Sequence, residues 1–255
     1  RNNAEIGDLK ISPDGKYAAY AAFDGGFYKV MLEDLKTQKA KKVAKGGFRS
    51  DQYPFDKSYP VLTWAKTGHK LAIINEKKDI IRLTQIDVDK NTKTKNNIVK
   101  FKRIYGADFT NNPNVLIVSG QNKGQTDLYL YNTLNTNATQ LNNDNYDDLN
   151  PVYVNWKGSD GVLFSSNRPE DKLYLSPIDT VLPTQTVDLF FYDLNKKGTE
   201  LARVTETPFA NEKGIGTYNE SYYTFLSDEN GIYNQYMGTL DSVYAGKDSV
   251  EVEKE

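Results

Sequence analysis

The feature of this sequence that most constrains its fold is a succession of short apolar segments separated by turn residues. It is clearest in the segments 150–156, 162–168, 187–194 and 200–205. Asp160-Gly161, between the first two, is a dipeptide typical of a two-residue β-hairpin. These segments predict four short antiparallel strands. A single sheet of this size cannot cover both of its faces, so the unit requires neighbours.

The same arrangement recurs along the chain. Turn residues after the first strand of each unit, at Gly15, Gly68, Asn114, Gly161 and Ser221, are 53, 46, 47 and 60 residues apart. A period of about 50 residues with four strands per unit is typical of propeller blades. We therefore predict an all-β fold, a β-propeller of about five four-stranded antiparallel blades. The expected propeller covers residues 1–242, with blades at approximately 6–45, 59–101, 103–141, 148–207 and 212–240, and a polar tail or linker covers 243–255.

The second and fourth strands of each unit differ in polarity. Second strands such as Leu71–Ile74 and Val115–Val118 are continuous apolar runs, which is typical of strands covered on both faces. The fourth strands, such as Lys39–Lys45, are rich in lysine, as expected for an outer rim that avoids pairing with other chains. No segment has the sustained 3.6-residue apolar period of a long helix.

Two finer predictions concern packing. Trp64 and Trp156 end first strands and are expected to be buried between blades, where truncation to alanine would cost about 3–5 kcal/mol. The ring is expected to be open, or part of a larger ring, because no strand-like segment after Val243 completes the first blade.

The composition of the chain limits the kinds of partner that can be expected. The chain has 32 Lys and Arg against 34 Asp and Glu, so its net charge of −2 gives no reason to expect a nucleic-acid partner. Two basic clusters, at 36–49 and 90–103, are interpreted as solvated rims, with an anionic partner surface as the alternative. No apolar run approaches the ~20 residues that span a bilayer, so any membrane association would involve other domains or partners.

No catalytic, metal or cofactor site is expected. The chain has no cysteine, and its single histidine, His69, is interpreted as an exposed turn residue. A Gly-x-Ser-x-Gly nucleophile motif is absent from the sequence. The segment beginning at Asp87 imitates a calcium loop, but Thr92 replaces the required glycine and Ile98 replaces the bidentate glutamate.

Three motifs carry a resemblance to a known family. Ile11-Ser-Pro-Asp-Gly-Lys16, Leu163-Phe-Ser-Ser-Asn-Arg168 and Ser227-Asp-Glu-Asn-Gly231 resemble the TolB-type propeller repeat, which also occurs in Tricorn-like and prolyl-oligopeptidase-like propellers. The resemblance covers residues from about 6 to 240, and the insertion after Arg168 is similar to that of large envelope proteins of Bacteroidetes-type bacteria. It implies a periplasmic or cell-envelope location and a protein partner, since TolB proteins work with a peptidoglycan-associated lipoprotein.

Two functions remain open at this point. The first is a non-catalytic propeller that binds a protein or peptide in an envelope or secretion-related assembly. The second is a substrate-admitting propeller domain of a larger peptidase or polysaccharide-degrading enzyme. In both, the binding face would carry the loops between second and third strands and the connections between blades.

The connection from Asn167 to Thr186 is far longer than a hairpin needs, and long ordered loops are commonly functional. It is expected either to cap its own blade or to shape the face that binds the partner. On the second view Arg168 is a charged anchor, and two aromatic residues of the first connection between blades add contact area. The candidate partner-binding residues are Arg168, Tyr174, Tyr53, Phe55, Asp147 and Asp148.

Overall fold

The computed structural model describes residues 5–24, 26–47, 58–77, 79–176, 182–196, 198–218 and 222–240. Within these ranges the chain forms 19 strands and no α-helix. The strands form five separate sheets, and within each sheet the strands that follow one another in sequence pair antiparallel. The prediction of an all-β propeller with five blades is confirmed.

The first three blades have four strands each. Blade 1 consists of β1 (Glu5–Ile11), β2 (Tyr17–Asp24), β3 (Phe27–Asp34) and β4 (Lys39–Gly47). Blade 2 consists of β5 (Val61–Trp64), β6 (Lys70–Lys77), β7 (Ile80–Asp87) and β8 (Thr92–Ile98). Blade 3 consists of β9 (Arg103–Phe109), β10 (Val115–Asn122), β11 (Gln125–Asn132) and β12 (Ala138–Gln140).

The fourth blade contains the long connection, which lies between its second and third strands. Blade 4 consists of β13 (Asp148–Trp156), β14 (Ser159–Ser166), β15 (Asp188–Asp193) and β16 (Ala202–Arg203). Blade 5 consists, within the described residues, of β17 (Glu212–Tyr218), β18 (Tyr222–Ser227) and β19 (Asn234–Thr239).

Burial follows the predicted division between inner and outer strands. In β6 the four residues from Leu71 to Ile74 are all 0% exposed, alternately packed against blades 1 and 3. In β4 and β8 the lysine side chains are exposed at the rim. The apolar run therefore marks a strand covered by neighbouring blades, and the basic run marks a strand exposed to solvent.

The hairpin of blade 4 turns three residues earlier than the sequence indicated. Trp156 pairs with Ser159, and the turn is formed by Lys157 and Gly158, whose φ angles are +47° and +84°. Positive φ at both central residues is the requirement of a type I′ turn. Gly161 lies within β14, where a Cβ atom would come 2.2 Å from the Phe191 ring, so this glycine serves packing and not the turn.

Consecutive blades are joined by hydrogen bonds to carboxylates of the first strands. Asp8 of β1 accepts the backbone N–H of Leu62 in β5 at 3.0 Å. Asp108 of β9 accepts the backbone N–H of Tyr153 in β13 at 2.9 Å and the hydroxyl of Thr63 at 2.7 Å. These bonds fix the first strands side by side around the propeller axis.

Packing runs in sequence order from blade 1 to blade 5. The first strands lie β1 against β5, β5 against β9, β9 against β13 and β13 against β17, and no comparable packing joins β17 to β1 among the described residues. Ile6, Leu9 and Ile11 in β1 are 62%, 53% and 57% exposed. The described residues form an open arc, and its completion by further blades stays a prediction.

The two tryptophans differ in their packing. Trp64 is 5% exposed, and its indole N–H donates to the Lys10 carbonyl of blade 1 at 3.1 Å, as expected for a side chain between blades. Trp156 is only half-buried, with its ring edge-on to Phe191 and its N–H donating to the Leu240 carbonyl at 2.6 Å. The predicted position between blades is confirmed for both residues, whereas the predicted burial is confirmed for Trp64 and is only partial for Trp156.

Candidate partner-binding surface

The loops between second and third strands lie on the same face of the molecule as the connections between blades. We call this the loop face. Its largest element is the connection between β14 and β15, residues 167–187, which we call the insertion; residues 177–181 are outside the described set. Arg168 lies at the start of the insertion and holds that start in place through its contacts with Asp148 and the Lys172 carbonyl.

Arg168 is 0% exposed and is the largest fully buried side chain of the described residues. Its Nη2 atom donates to both carboxylate oxygens of Asp148 at 2.7 Å, and its Nη1 atom lies 3.4 Å from Asp144. Its Nε atom donates to the Ser166 hydroxyl at 3.0 Å. The guanidinium also donates to the Lys172 carbonyl, so its hydrogen-bonding capacity is used almost entirely inside the protein.

The carboxylates around Arg168 outnumber it. Asn142 donates to Asp127 at 3.1 Å and to Asp148 at 2.9 Å, which ties a third carboxylate to the pair that Arg168 holds. Burial raises the pKa of Asp148 to about 6 although Arg168 opposes the shift. Burial, reinforced by the charges of Asp144 and Asp148, raises the pKa of Asp127 to about 7. Both shifts show that burial opposes the charged form of these carboxyl groups, a cost that the charge of Arg168 offsets at Asp148.

The insertion is fastened to this cluster at its start. The Tyr174 N–H donates to Asp144 at 3.2 Å, and the Asn143 N–H donates to the Tyr174 carbonyl at 2.6 Å. Leu173, between these contacts and Arg168, is 1% exposed and packs in the core between blades 3 and 4. The first part of the insertion thus caps its own blade, which was one of the two expectations for it.

The end of the insertion is fastened as well. The Thr184 N–H donates to the Asn167 carbonyl at 2.7 Å, and the Thr184 hydroxyl donates to the Thr186 carbonyl at 2.6 Å. Between the two fastened ends, Leu175 is 68% exposed and Leu182 is 81% exposed. A loop held at both ends therefore presents apolar side chains to solvent on the loop face.

The structure separates the predicted site residues into three groups. Arg168 and Asp148 are both 0% exposed and bind each other, so the expectation that they contact a partner is corrected: they position the insertion. Asp147 is exposed, and Tyr174 is half-buried with its phenol donating to Glu170. Tyr53 and Phe55 lie outside the described residues. The contact role of Asp147 and Tyr174 stays a prediction.

Sequence reasoning missed Phe209, which is 94% exposed and has a φ of +67°. It follows Pro208 in the connection between blades 4 and 5, also on the loop face. The signal in the sequence was the Thr-Pro-Phe-Ala stretch, in which an aromatic residue occupies a turn position normally taken by glycine or asparagine.

His69 is not the exposed turn residue that the sequence suggested, because its side chain is only 15% exposed. Its Nε2 atom lies 2.8 Å from Asp14 of blade 1, and its Nδ1 atom lies 2.7 Å from Asp89 of blade 2. Because opposite ring nitrogens face the two carboxylates, the three groups cannot converge on one metal ion. No group of three His, Cys, Asp or Glu side chains placed to hold a metal occurs in the described part of the chain. That part also contains no helix long and apolar enough to cross a membrane.

Comparison with known proteins shows the fold and leaves the family open. No known family profile matches the sequence, and no curated protein matches it either. Among solved structures, TolB from Acinetobacter baumannii matches with a TM-score of 0.65 at 12% identity, over 92% of this chain and 52% of TolB. The chain thus spans about half the length of that protein.

Propeller domains of peptidases match as well. The open-velcro propeller of the Trilobed protease from Pyrococcus furiosus matches with a TM-score of 0.54 at 13% identity, over 93% of this chain and 82% of that domain. An acylaminoacyl peptidase matches with a TM-score of 0.53 at 12% identity, over 92% of this chain and 44% of the enzyme. The fold is therefore that of a TolB-like β-propeller, and the resemblance found in the sequence is confirmed at this level.

Proposed function

We propose that this chain is a non-catalytic, TolB-like propeller that binds a protein or peptide partner on its loop face, within a bacterial envelope or secretion-related assembly. The observation that carries the proposal is the insertion, whose ends are fastened by buried or backbone contacts while Leu175 and Leu182 remain exposed. Segments fastened in this way, as the described ends of the insertion are, lose little conformational entropy when a partner binds.

The energetics of the surface favour a contact role over a purely structural one. A side chain that is needed only to cap the blade is buried, as Leu173 is, whereas most of Leu175 and Leu182 remains exposed to solvent. Large apolar side chains that a protein leaves exposed on its surface are typical of binding surfaces. The TolB-like fold supports the envelope location only by resemblance.

A second function is kept because of the structural comparisons. The Trilobed protease and the acylaminoacyl peptidase carry propellers of this fold, so the chain could serve as the substrate-admitting domain of a larger enzyme. In that case the partner on the loop face is a catalytic domain or its peptide substrate. A catalytic domain encoded in the same full-length gene would favour this alternative.

The proposal is tested with the full-length protein in its own host, by chemical cross-linking and mass spectrometry of the recovered complexes. We expect a specific partner with the unaltered protein and its loss in the double variant Leu175→Ser/Leu182→Ser. The matched control is Leu134→Ser, which alters a residue that is 73% exposed in the β11–β12 turn, at the opposite end of its blade. Recovery of no specific partner, or equal loss in all variants, contradicts the proposal.

A further inference from the structure

The outer rims of blades 1 and 2 concentrate positive charge. Of the 16 residues in their fourth strands (9 in β4 and 7 in β8), six are lysine and none is aspartate or glutamate. The fourth strands of blades 3 and 4 contain no lysine. All six lysines are exposed. We call them the rim lysines: Lys39, Lys41, Lys42, Lys45, Lys93 and Lys95.

The two rims lie side by side. Lys41 is paired with Leu32 in the sheet of blade 1, and Lys93 is paired with Ile86 in the sheet of blade 2. Leu32 and Ile86 belong to one buried cluster between these blades. Because directly opposite residues project from the same face of a sheet, Lys41 and Lys93 both project into the space between the rims. The Lys93 ammonium group donates to the Val43 carbonyl of β4, which joins the rims directly.

The rim lysines have no carboxylate partners, unlike the lysines of the adjoining turns. Lys16 lies 2.9 Å from Asp14. Lys90 lies 3.2 Å from Asp87. Within the residues that the structure describes, no rim lysine forms such an ion pair. Their positive charge is therefore not neutralised by direct contact.

Two carboxylates lie near the rim lysines, on β3. Asp34 accepts the backbone N–H groups of Lys36 and Thr37, both at 2.9 Å. Glu33 is paired with Ala40 in the sheet. Counted in full, these two carboxylates still leave the six ammonium groups in excess. The rims of blades 1 and 2 thus form one positively charged surface.

The positive surface is kept although the chain has carboxylates to spare. Partial burial of the ammonium group and, secondly, the charge of Lys95 lower the pKa of Lys93, so the rim lysines repel one another. The chain has 34 Asp and Glu residues and a net charge of −2. Charges on distant blades do not cancel the potential of the rim, because salt at 0.1 M screens exposed charges beyond about 10 Å.

Protection of the sheet edge does not require this excess. Lysine on an exposed edge strand discourages pairing with other chains, and β4 and β8 are long edge strands. Edge protection is equally served by glutamate or by a mixture of both signs. Six charges of one sign on two adjoining rims therefore indicate an anionic partner in addition.

The composition of the rim distinguishes between kinds of anionic partner. β4 and β8 contain no aromatic residue and no arginine. Protein interfaces are depleted in lysine and depend on aromatic and arginine anchors, and single-stranded nucleic acid is bound by stacking on aromatic rings. Clusters of about four to eight basic residues are typical of surfaces that bind anionic lipids, whose headgroups need no fixed geometry. A lipid surface fits the rim best.

We propose that the rim lysines bind the anionic headgroups of a phospholipid bilayer and hold the propeller on the membrane surface with blades 1 and 2 towards it. The contact is peripheral and uses this chain's own surface, unlike the association through other domains that the sequence suggested. The rim and the loop face are different sides of a propeller, so the inference does not depend on the partner proposed for the loop face.

The first experiment sediments the purified full-length protein with vesicles of equal parts phosphatidylcholine and phosphatidylglycerol, and with vesicles of phosphatidylcholine alone. We expect binding only to the anionic vesicles, weakening steeply as sodium chloride is added. The rim variant combines Lys39→Gln, Lys41→Gln, Lys42→Gln and Lys95→Gln, and it keeps Lys93 because that residue joins the rims. Since each lysine near an anionic surface contributes about fivefold, the affinity should fall by roughly a hundredfold or more.

The matched control removes the same charge from the other blades. It combines four changes at exposed lysines: Lys123→Gln, Lys172→Gln, Lys196→Gln and Lys213→Gln. We expect this variant to bind the anionic vesicles nearly as the unaltered protein does. An equal loss in the rim and control variants would assign binding to net charge and overturn the inference. The loop-face variant Leu175→Ser/Leu182→Ser should bind vesicles normally, so this inference and the proposed function can fail separately.

Further measurements separate lipid binding from edge protection and from a protein partner. The unfolding midpoint of the rim variant should be unchanged, because its four residues are exposed. If that variant fails to fold, Lys39→Gln/Lys95→Gln replaces it, with an expected loss of roughly tenfold or more. Sedimentation of the rim variant without vesicles, while the unaltered protein ignores the anionic vesicles, would leave edge protection alone and overturn the inference. A protein product from a photo-cross-linker at position 41, without vesicle binding, would likewise overturn it.

Discussion

Arg168 is a cation in a position that an apolar side chain would normally occupy, between the rings of Tyr146, Phe164 and Phe190 at 5.2, 5.8 and 5.9 Å from its guanidinium. Desolvating such a charge is expensive, and it is tolerated because Nη2 donates to both carboxylate oxygens of Asp148 while Nη1 and Nε bind Asp144 and Ser166. The residue therefore fixes where the insertion begins.

Removing Arg168 should be strongly destabilising. Arg168→Met leaves Asp144 and Asp148 buried without their cation, and we expect a loss of about 3–5 kcal/mol in the free energy of unfolding. Arg168→Lys keeps the charge but cannot make all the bonds of the guanidinium to Asp144, Asp148 and Ser166, and it should cost less. Lys100→Ala, at an exposed position, is the control, and urea denaturation is the measurement. An unchanged midpoint for Arg168→Met would contradict the structural role assigned to it.

The two tryptophans should respond differently to truncation. Trp64→Ala removes a buried ring and its bond to the Lys10 carbonyl, so we expect a loss of about 3–5 kcal/mol. Trp156→Ala should cost clearly less, because its ring is half-buried. Equal shifts in the denaturation midpoints of the two variants would show that blade 5 covers Trp156 more completely than its exposure indicates.

The burial of an apolar residue was easier to predict from the sequence than the role of a charged one. The burial of Leu71–Ile74 could be predicted from the sequence, because every residue in this run favours the interior. Arg168 follows the turn motif Ser-Ser-Asn, and local sequence gives no sign that Asp144 and Asp148, more than ten residues away, will surround it. Burial of a charge depends on contacts that the fold creates, so it was missed.

At the scale of elements, the turns of blades 1 and 2 are joined through His69. Hydrogen bonds with Asp14 and then Asp89 raise the pKa of His69 above its ordinary value of 6.5. Asp14 also binds Lys16 at 2.9 Å, and hydrogen bonds from Lys16 and His69 lower the pKa of its carboxyl group. The protonated histidine thus bridges two carboxylates on neighbouring blades.

This bridge predicts a dependence of stability on pH. Because the folded-state pKa of His69 is raised, its contribution is fully present below pH 6.5 and is lost as pH rises through the folded value. Asp14, with a lowered pKa, contributes above its ordinary value of 3.8, and that contribution is lost on acidification. His69→Gln should flatten the alkaline decline in the urea midpoint. An identical decline in the variant would assign it to other groups.

The insertion should behave as two parts. Leu173→Ala opens a cavity in the core between blades 3 and 4, and we expect a loss of about 2–5 kcal/mol. Leu175→Ala, two residues on and 68% exposed, should leave the unfolding free energy within about 0.5 kcal/mol of the original. Thermal unfolding followed by tyrosine fluorescence measures both. A large effect of Leu175→Ala would mean that the exposed part also supports the fold.

Elements were predicted more reliably than their ends. Apolar runs and turn residues located the strands of all five blades, because covered strands and solvated turns differ in composition. The Asp160-Gly161 dipeptide misplaced one hairpin, since Lys157-Gly158 met the same turn requirement and Gly161 was needed beneath Phe191. Where two positions satisfy the local rule, packing decides between them.

At the scale of the whole molecule, the described blades form an arc with one exposed first strand. The residues of β1 are mostly exposed, whereas those of β9 lie between blades 2 and 4. We expect the amides of β1 to exchange with deuterium much faster than those of β9 in the isolated chain. Mass spectrometry of peptic fragments covering both strands measures this. Equal protection would mean that β1 is covered, for example by association with a second copy.

The carboxylate links between neighbouring first strands also bear on how the chain acquires its structure during synthesis. Each described sheet is built from consecutive strands, and each blade packs on the one before it. A blade emerging from the ribosome can therefore dock at once on its predecessor, as Leu62 does when it meets Asp8, without waiting for a distant segment. In the described part of the chain, the order of translation is also a feasible order of assembly.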